Sequence, residues 1–279
     1  MYYFRYFLLS VFLCICIKLT AQSEAFTVTV KGKRAPVLLF PGFTCPAEVW
    51  DGIIDTLSKK HQCHVFTFAG FGSVPPIEIP WLPKIKEAVS SYISEQELDN
   101  PTIIGHSLGG TLGLWIASEN NHTFKKIIVI DALASTGAMM MPNFNAESIT
   151  YDNPYSQQLL KMDEKSFKVM ASQMAQGMTL NENKRNLIVK WIIDSDRKTY
   201  VHGYTDLLKL DLREDLAKIK TPITILAATE PYGLEMVKQT YAKQYEKLSD
   251  YNIKFAKNSA HFIMFDQPAW LIEAINAEL

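Results

Sequence analysis

The residues best able to do chemistry are one serine held between glycines and one histidine far from it in the chain. Ser107 lies in Gly105-His106-Ser107-Leu108-Gly109-Gly110, with the apolar run PTII before it and the helical pattern LGGTLGLWIASE after it. A serine hydroxyl is a weak nucleophile until a base takes its proton, and a sharp strand-to-helix turn is one way to expose it to that base. Such a turn strains the serine backbone and tolerates only small residues two places before and two after it. Gly105 and Gly109 occupy those places.

His261, in NSAHFIMFDQPAW, is the base this serine requires. It follows the last apolar run, NIKFAK, and is expected on a loop at the same sheet edge as Ser107. The other histidines are worse placed. His61 and His64 begin a strand before the serine, and His106 adjoins it and is expected to point elsewhere. His122 lies beyond the following helix, and His202 falls in a helical interval. The imidazole needs a carboxylate to orient it and stabilise its cation. Glu230, just past the run PITILAA, is the favoured acid. Asp131, which ends the run KKIIVID, is the alternative, with Asp206 and Asp211 behind it. A tetrahedral intermediate needs two donors for its oxyanion: the Leu108 amide at the elbow supplies one, and the Phe43 amide, after Pro41-Gly42, the other.

Elements able to position these residues are legible as an alternation. The short apolar runs APVLLF, HVFTFA, PTIIG, KKIIVID, PITILAA and NIKFAK are separated by helical patterns over 47–60, 83–97, 108–119 and 234–248. Apolar runs without polar alternation fit strands of a mostly parallel sheet covered by helices on both faces, an α/β fold. From 135 to 206 the rhythm breaks into helical patterns, expected to form an inserted cap. This interval is methionine-rich, with Met139, Met140, Met141, Met162, Met170, Met174 and Met178, and flexible thioethers suit an adaptable apolar pocket. The expected organisation is a signal segment 1–22, core 23–134, cap 135–206 and core 207–279.

Taken in order, the turn Pro41-Gly42-Phe43, Gly70-Phe71-Gly72, the elbow GHSLGG, the strand TPITILAATEP and the loop Ala260-His261-Phe262 resemble the α/β-hydrolase superfamily. The similarity is to the branch with a helical cap inserted after the strand that follows the nucleophile helix, and it covers roughly 35–279. It implies an α/β-hydrolase fold and a Ser107, His261, acid triad that works without cofactor or metal. The superfamily often has His-Gly where this chain has Pro41-Gly42, and commonly Asp rather than Glu as the acid.

Composition bounds the partners. Of 279 residues, 48% are hydrophobic and 11% aromatic, enough for a full core. With 28 basic and 29 acidic residues the net charge is −1, which gives no field for nucleic acid. Arg5 followed by an apolar run over 6–17, with Lys18 and Ala21 after it, reads as an export signal, since a membrane-spanning helix needs about 20 residues. Export to the periplasm or beyond is expected, without stable membrane insertion after cleavage. Cys45 and Cys63 flank the helix expected over 47–60, roughly 20 Å long. They are therefore not expected to meet the limit of about 7 Å between Cα atoms that a disulfide sets.

The expected function is hydrolysis of a small apolar carboxylic ester through an acyl enzyme. Two alternatives stand beside it. One is aminopeptidase-like cleavage of short peptides, with Asp163, Glu164 and Glu182 available to an amino terminus; the other is a non-catalytic binding protein on the same fold.

Overall fold

The computed structural model describes residues 23–279, so the expected signal segment lies outside the described residues. Seven strands form one sheet: β1 (Phe26–Lys31), β2 (Pro36–Phe40), β3 (Gln62–Phe68), β4 (Thr102–His106), β5 (Lys126–Ile130), β6 (Ile223–Ala228) and β7 (Tyr251–Ala256). Their order is β1-β3-β2-β4-β5-β6-β7, with β1 antiparallel to β3 and every other pair parallel. The six expected runs all appear as strands. β1 is the addition: its sequence FTVTVK has the β-branched alternation of a strand, but it lies at the sheet edge with most of its side chains exposed. Lys31 at its end helps discourage pairing with another edge.

Two-sided burial explains the apolar runs. Within β2, Leu38 and Phe40 face one core while Val37 and Leu39 face the other, and all four are buried. Helices α2 (Trp81–Glu95), α3 (Leu108–Ser118) and α9 (Leu234–Gln244) cover the first face through Trp81, Ile85, Leu112 and Tyr241. Helices α1 (Asp51–Leu57) and α11 (Pro268–Asn276) cover the second through Ile53, Leu57, Leu271 and Ile275, with the short α10 (Ile263–Asp266) beside them. Each such aliphatic side chain contributes about 1.5–3 kcal/mol by leaving water.

Between β5 and β6 run α4 (Thr136–Met140), α5 (Pro154–Lys161), α6 (Glu164–Met178), α7 (Glu182–Asp194) and α8 (Arg197–Lys209). Side-chain caps start four of them: Ser135, Asn153, Asp163 and Asp196 accept from the amides of Ala138, Ser156, Ser166 and Thr199. Asp206 of α8 reaches the core instead, accepting the Trp81 and Leu82 amides at the start of α2 (2.7 and 3.0 Å) and the Tyr151 hydroxyl. Among the described residues no helix is long and apolar enough to cross a membrane.

At the opposite end of the sheet, Glu278 ties three adjacent strands together. It accepts from Lys126 of β5, from Thr224 of β6 at 2.9 Å and from Lys254 of β7 at 2.6 Å. Burial pushes its carboxyl up, but these donors outweigh that and bring it down to about 2 from an ordinary 4.5. A depressed carboxyl stabilises the fold in full above its ordinary value and loses that contribution as pH falls through the folded value. The melting-temperature gap between the native protein and Glu278→Gln is therefore expected to be steady above 4.5 and to close as acid titration approaches 2. A gap that does not change with pH would show that the carboxylate charge is not what these strands use.

The sheet order also fixes where chemistry can occur. β3 and β4 lie on opposite sides of β2, so the loops leaving β2 and β4 at their carboxyl ends diverge and open a crevice. Phe40 pairs with Gly105 and His106 with Ile130, which brings Pro41-Gly42, Ser107 and Asp131 out of three neighbouring strands at one level.

Candidate active site

Ser107 takes φ 52° and ψ −122°, a conformation that a non-glycine residue holds only when its surroundings impose it. The surroundings are tight backbone. A Cβ at Gly105 would stand 2.3 Å from the Gly109 carbonyl oxygen, and one at Gly109 would stand 2.3 Å from that of Phe40. Helix α3 therefore approaches β4 at Gly105 and the end of β2 at Gly109 so closely that glycine alone fits at both positions.

His261 follows β7 and lines the same cavity as Ser107. The bond that orients its ring is a 2.7 Å contact from Nδ1 to Oδ2 of Asp131. The other oxygen of Asp131 accepts the Ala228 amide and the Tyr241 hydroxyl, both at 2.9 Å. Burial pushes the Asp131 carboxyl up, yet the His261 contact and these two donors overcome it and leave the group below its ordinary range. A carboxylate so held accepts the Nδ1 proton and leaves Nε2 free to act as a base.

This corrects the preference for Glu230. Asp131 directly follows β5, the neighbour of the strand that presents Ser107, whereas Glu230 lies two residues beyond β6, one strand further out. By Glu230 the chain has turned onto the histidine loop, where its amide donates to the Ser259 carbonyl at 2.9 Å. Among the described residues its carboxylate is met only by the Thr229 hydroxyl, at 3.5 Å. Asp206 is committed to α2, and Asp211 pairs with Arg213 at 2.7 Å.

Phe43 and Leu108 line the same cavity as Ser107. A Cys45 amide to Gly42 carbonyl bond of 3.1 Å closes the turn that carries Phe43. Among the described residues neither the Phe43 nor the Leu108 amide donates to a turn or loop carbonyl, so both remain available to an oxyanion. The Phe43 ring is wedged between Phe71, Tyr200 and Tyr204, with centroids 5.0, 5.7 and 5.6 Å away. The cavity measures about 440 Å³. Of the methionines between β5 and β6, Met139, Met174 and Met178 line it, while Met162 and Met170 pack against the second core. Among the described residues no group of three or more His, Cys, Asp or Glu could hold a metal ion. Cys45 and Cys63 are buried and free.

An alpha/beta hydrolase family model matches residues 37–274. The chain belongs to the alpha/beta hydrolase family. It is 22% identical over 249 residues to a biotin biosynthesis bifunctional protein of Cellvibrio japonicus, a match that takes in 87% of this chain but only 47% of that protein's length. It is 20% identical over 254 residues to 3-oxoadipate enol-lactonase 1 of Acinetobacter baylyi, covering 90% of this chain and 92% of the relative. The crystal structure of the enol-lactonase from Burkholderia xenovorans LB400 superposes with a TM-score of 0.77 at 12% identity, over 92% of this chain and 98% of that one.

Two further residues of this alpha/beta hydrolase bear on the site without having stood out in the sequence. His106, expected to point elsewhere, is buried with its ring 4.7 Å from that of His261. Burial and the neighbouring His261 take its pKa down to about 3, so it is neutral and its Nε2 donates to the His261 carbonyl at 3.0 Å. The residue beside the serine thus holds the backbone of the histidine. Asp266 performs the corresponding task from the other side. It accepts the Ala260 amide at 2.8 Å, the Thr179 hydroxyl at 2.6 Å and the Leu180 and Asn181 amides at 3.0 and 3.1 Å. The Phe262 amide adds a 2.9 Å bond to the Met178 carbonyl. The turn between α6 and α7 is in this way fastened to the loop that carries His261.

The carboxylates considered for an amino terminus are occupied elsewhere. Asp163 caps α6, Glu164 pairs with Arg197 at 2.9 Å and Glu182 with Arg185 at 3.2 Å, and none of the three lines the cavity.

Proposed function

We propose that this hydrolase cleaves carboxylic esters through an acyl enzyme on Ser107. The observation that carries the reading is the 2.7 Å bond between Asp131 and His261 in the cavity that also presents the strained Ser107. His261 Nε2 takes the serine proton as Oγ attacks the ester carbonyl, and the Phe43 and Leu108 amides stabilise the oxyanion that forms. The tetrahedral intermediate then collapses, and the proton on His261 passes to the departing alkoxide. In the second half His261 deprotonates a water as it attacks the acyl carbonyl, and the second tetrahedral intermediate collapses as His261 returns that proton to Ser107 Oγ and the acid leaves. Asp131 keeps the imidazole in the tautomer that both halves need.

An ester rather than another acyl compound is supported by the apolar lining of the cavity and by the enol-lactonase among the relatives, since a lactone is a cyclic ester. Residues 1–22 support an exported enzyme. Incubation with a fluorophosphonate, followed by peptide mass mapping, tests the assignment: one adduct on Ser107 is expected. Native protein that takes up no label, or takes it up elsewhere, overturns the reading.

A further inference from the structure

With Asp131 serving His261, Glu230 is a second carboxylate in the cavity wall, and the proposed mechanism does not use it. Its surroundings are unbalanced in charge. Among the described residues no lysine or arginine lines the cavity. The charge of Asp131 is answered by His261, the Ala228 amide and the Tyr241 hydroxyl. That of Glu230 is answered by one long hydroxyl contact, and among the described residues no cationic side chain comes within 4.0 Å of it. Tyr232 and Met236, both exposed, line the same cavity, as do Tyr200 and Tyr204.

An uncompensated carboxylate facing an apolar, aromatic cavity favours one kind of guest. A substrate carboxylate or phosphate would meet repulsion there and find no basic residue to offset it. A neutral ester is tolerated. An ammonium group gains an ion pair with the carboxylate, and the tyrosine-rich lining of the cavity adds a further attraction for a cation.

Resting on the ester reading above, we infer that Glu230 recognises a positively charged amine on the substrate, so that the hydrolase prefers esters bearing an alkylammonium group and disfavours anionic ones. Glu230 is a specificity residue and takes no part in proton transfer. Its contribution falls mainly on KM, because the charge it contacts is the same in the ground state and the transition state.

Two isosteric pairs of esters test this on the purified protein. In the first the charge lies in the alcohol part, butyrylcholine against 3,3-dimethylbutyl butyrate. In the second it lies in the acyl part, the p-nitrophenyl esters of 6-aminohexanoate and heptanoate. The expected result is a kcat/KM about 10-fold or more higher for the cationic member of at least one pair, carried by KM. Glu230→Gln is expected to bring that ratio close to one. Glu230→Lys is expected to reverse it and to favour p-nitrophenyl hemisuccinate over the aminohexanoate. Each ratio is internal to one protein sample, so partial misfolding of a variant does not disguise the outcome. Turnover of the neutral esters with no preference in either pair, or a preference that survives both substitutions, overturns the inference and leaves the hydrolase reading intact. A native protein that turns over none of the four esters removes the hydrolase reading and this inference together.

Discussion

Ser107→Ala is expected to lower kcat for a short p-nitrophenyl ester by roughly 10^4- to 10^6-fold, the range found when a nucleophile that works with its base as a unit is removed. The loss should fall on kcat with little change in KM, since the hydroxyl bonds to the substrate only during reaction. Residual turnover from the Phe43 and Leu108 amides and from binding should remain measurable above the spontaneous rate. Alanine keeps the same backbone strain at φ 52° and leaves the close approach of β4 and α3 intact, so thermal melting should barely move. A folded variant that retains a few per cent of native kcat would remove Ser107 as the nucleophile.

Asp131→Asn should cost about 10^3- to 10^4-fold in kcat, and the reason lies in how the native carboxylate is held. One oxygen already accepts the Ala228 amide and the Tyr241 hydroxyl. In the variant the carboxamide oxygen keeps those two donors, which turns the new NH2 toward His261 Nδ1. A donor there forces the imidazole into the tautomer with its proton on Nε2, where it can no longer accept from Ser107. Structure and stability should change little while catalysis collapses. Measured on one neutral ester, the loss should exceed that of Glu230→Gln by at least about 100-fold. The opposite ranking would return the acid role to Glu230.

These two substitutions divide the site by how each part could be read from the chain. Ser107, Gly105, Gly109 and the Phe43 turn announce themselves because their constraints are local: a strained serine needs small neighbours within five residues, and the sequence supplies them. His261 follows from chain order alone. The acid is different in kind, since Glu230 and Asp131 both sit just past an apolar strand and look alike in sequence. What separates them is the pairing of His106 with Ile130, a relation between strands that no window of sequence contains. A usable signal was still present: Asp131 directly follows its strand, as Ser107 does, whereas Glu230 comes one residue late. The edge strand β1 escaped for a related reason, because an exposed strand on the sheet rim carries little of the apolar continuity that marks the buried ones. His106 looked like a bystander because its role lies in a bond to a carbonyl 155 positions away.

The four groups gathered by Asp266 have a consequence for how this protein could diversify. A carboxylate that serves both the α6–α7 turn and the histidine loop makes the roof of the pocket and the proton acceptor a single mechanical body. The helices between β5 and β6 are therefore not a free cassette. A transplanted segment would have to bring its own hydroxyl and amides to that carboxylate, or the loop beneath it would lose part of its anchorage. Within this segment, variation that retunes the choice of guest without disturbing the base falls to side chains facing the cavity from α4, α6, α7 and α8, while the turn at 179–181 has to be inherited whole.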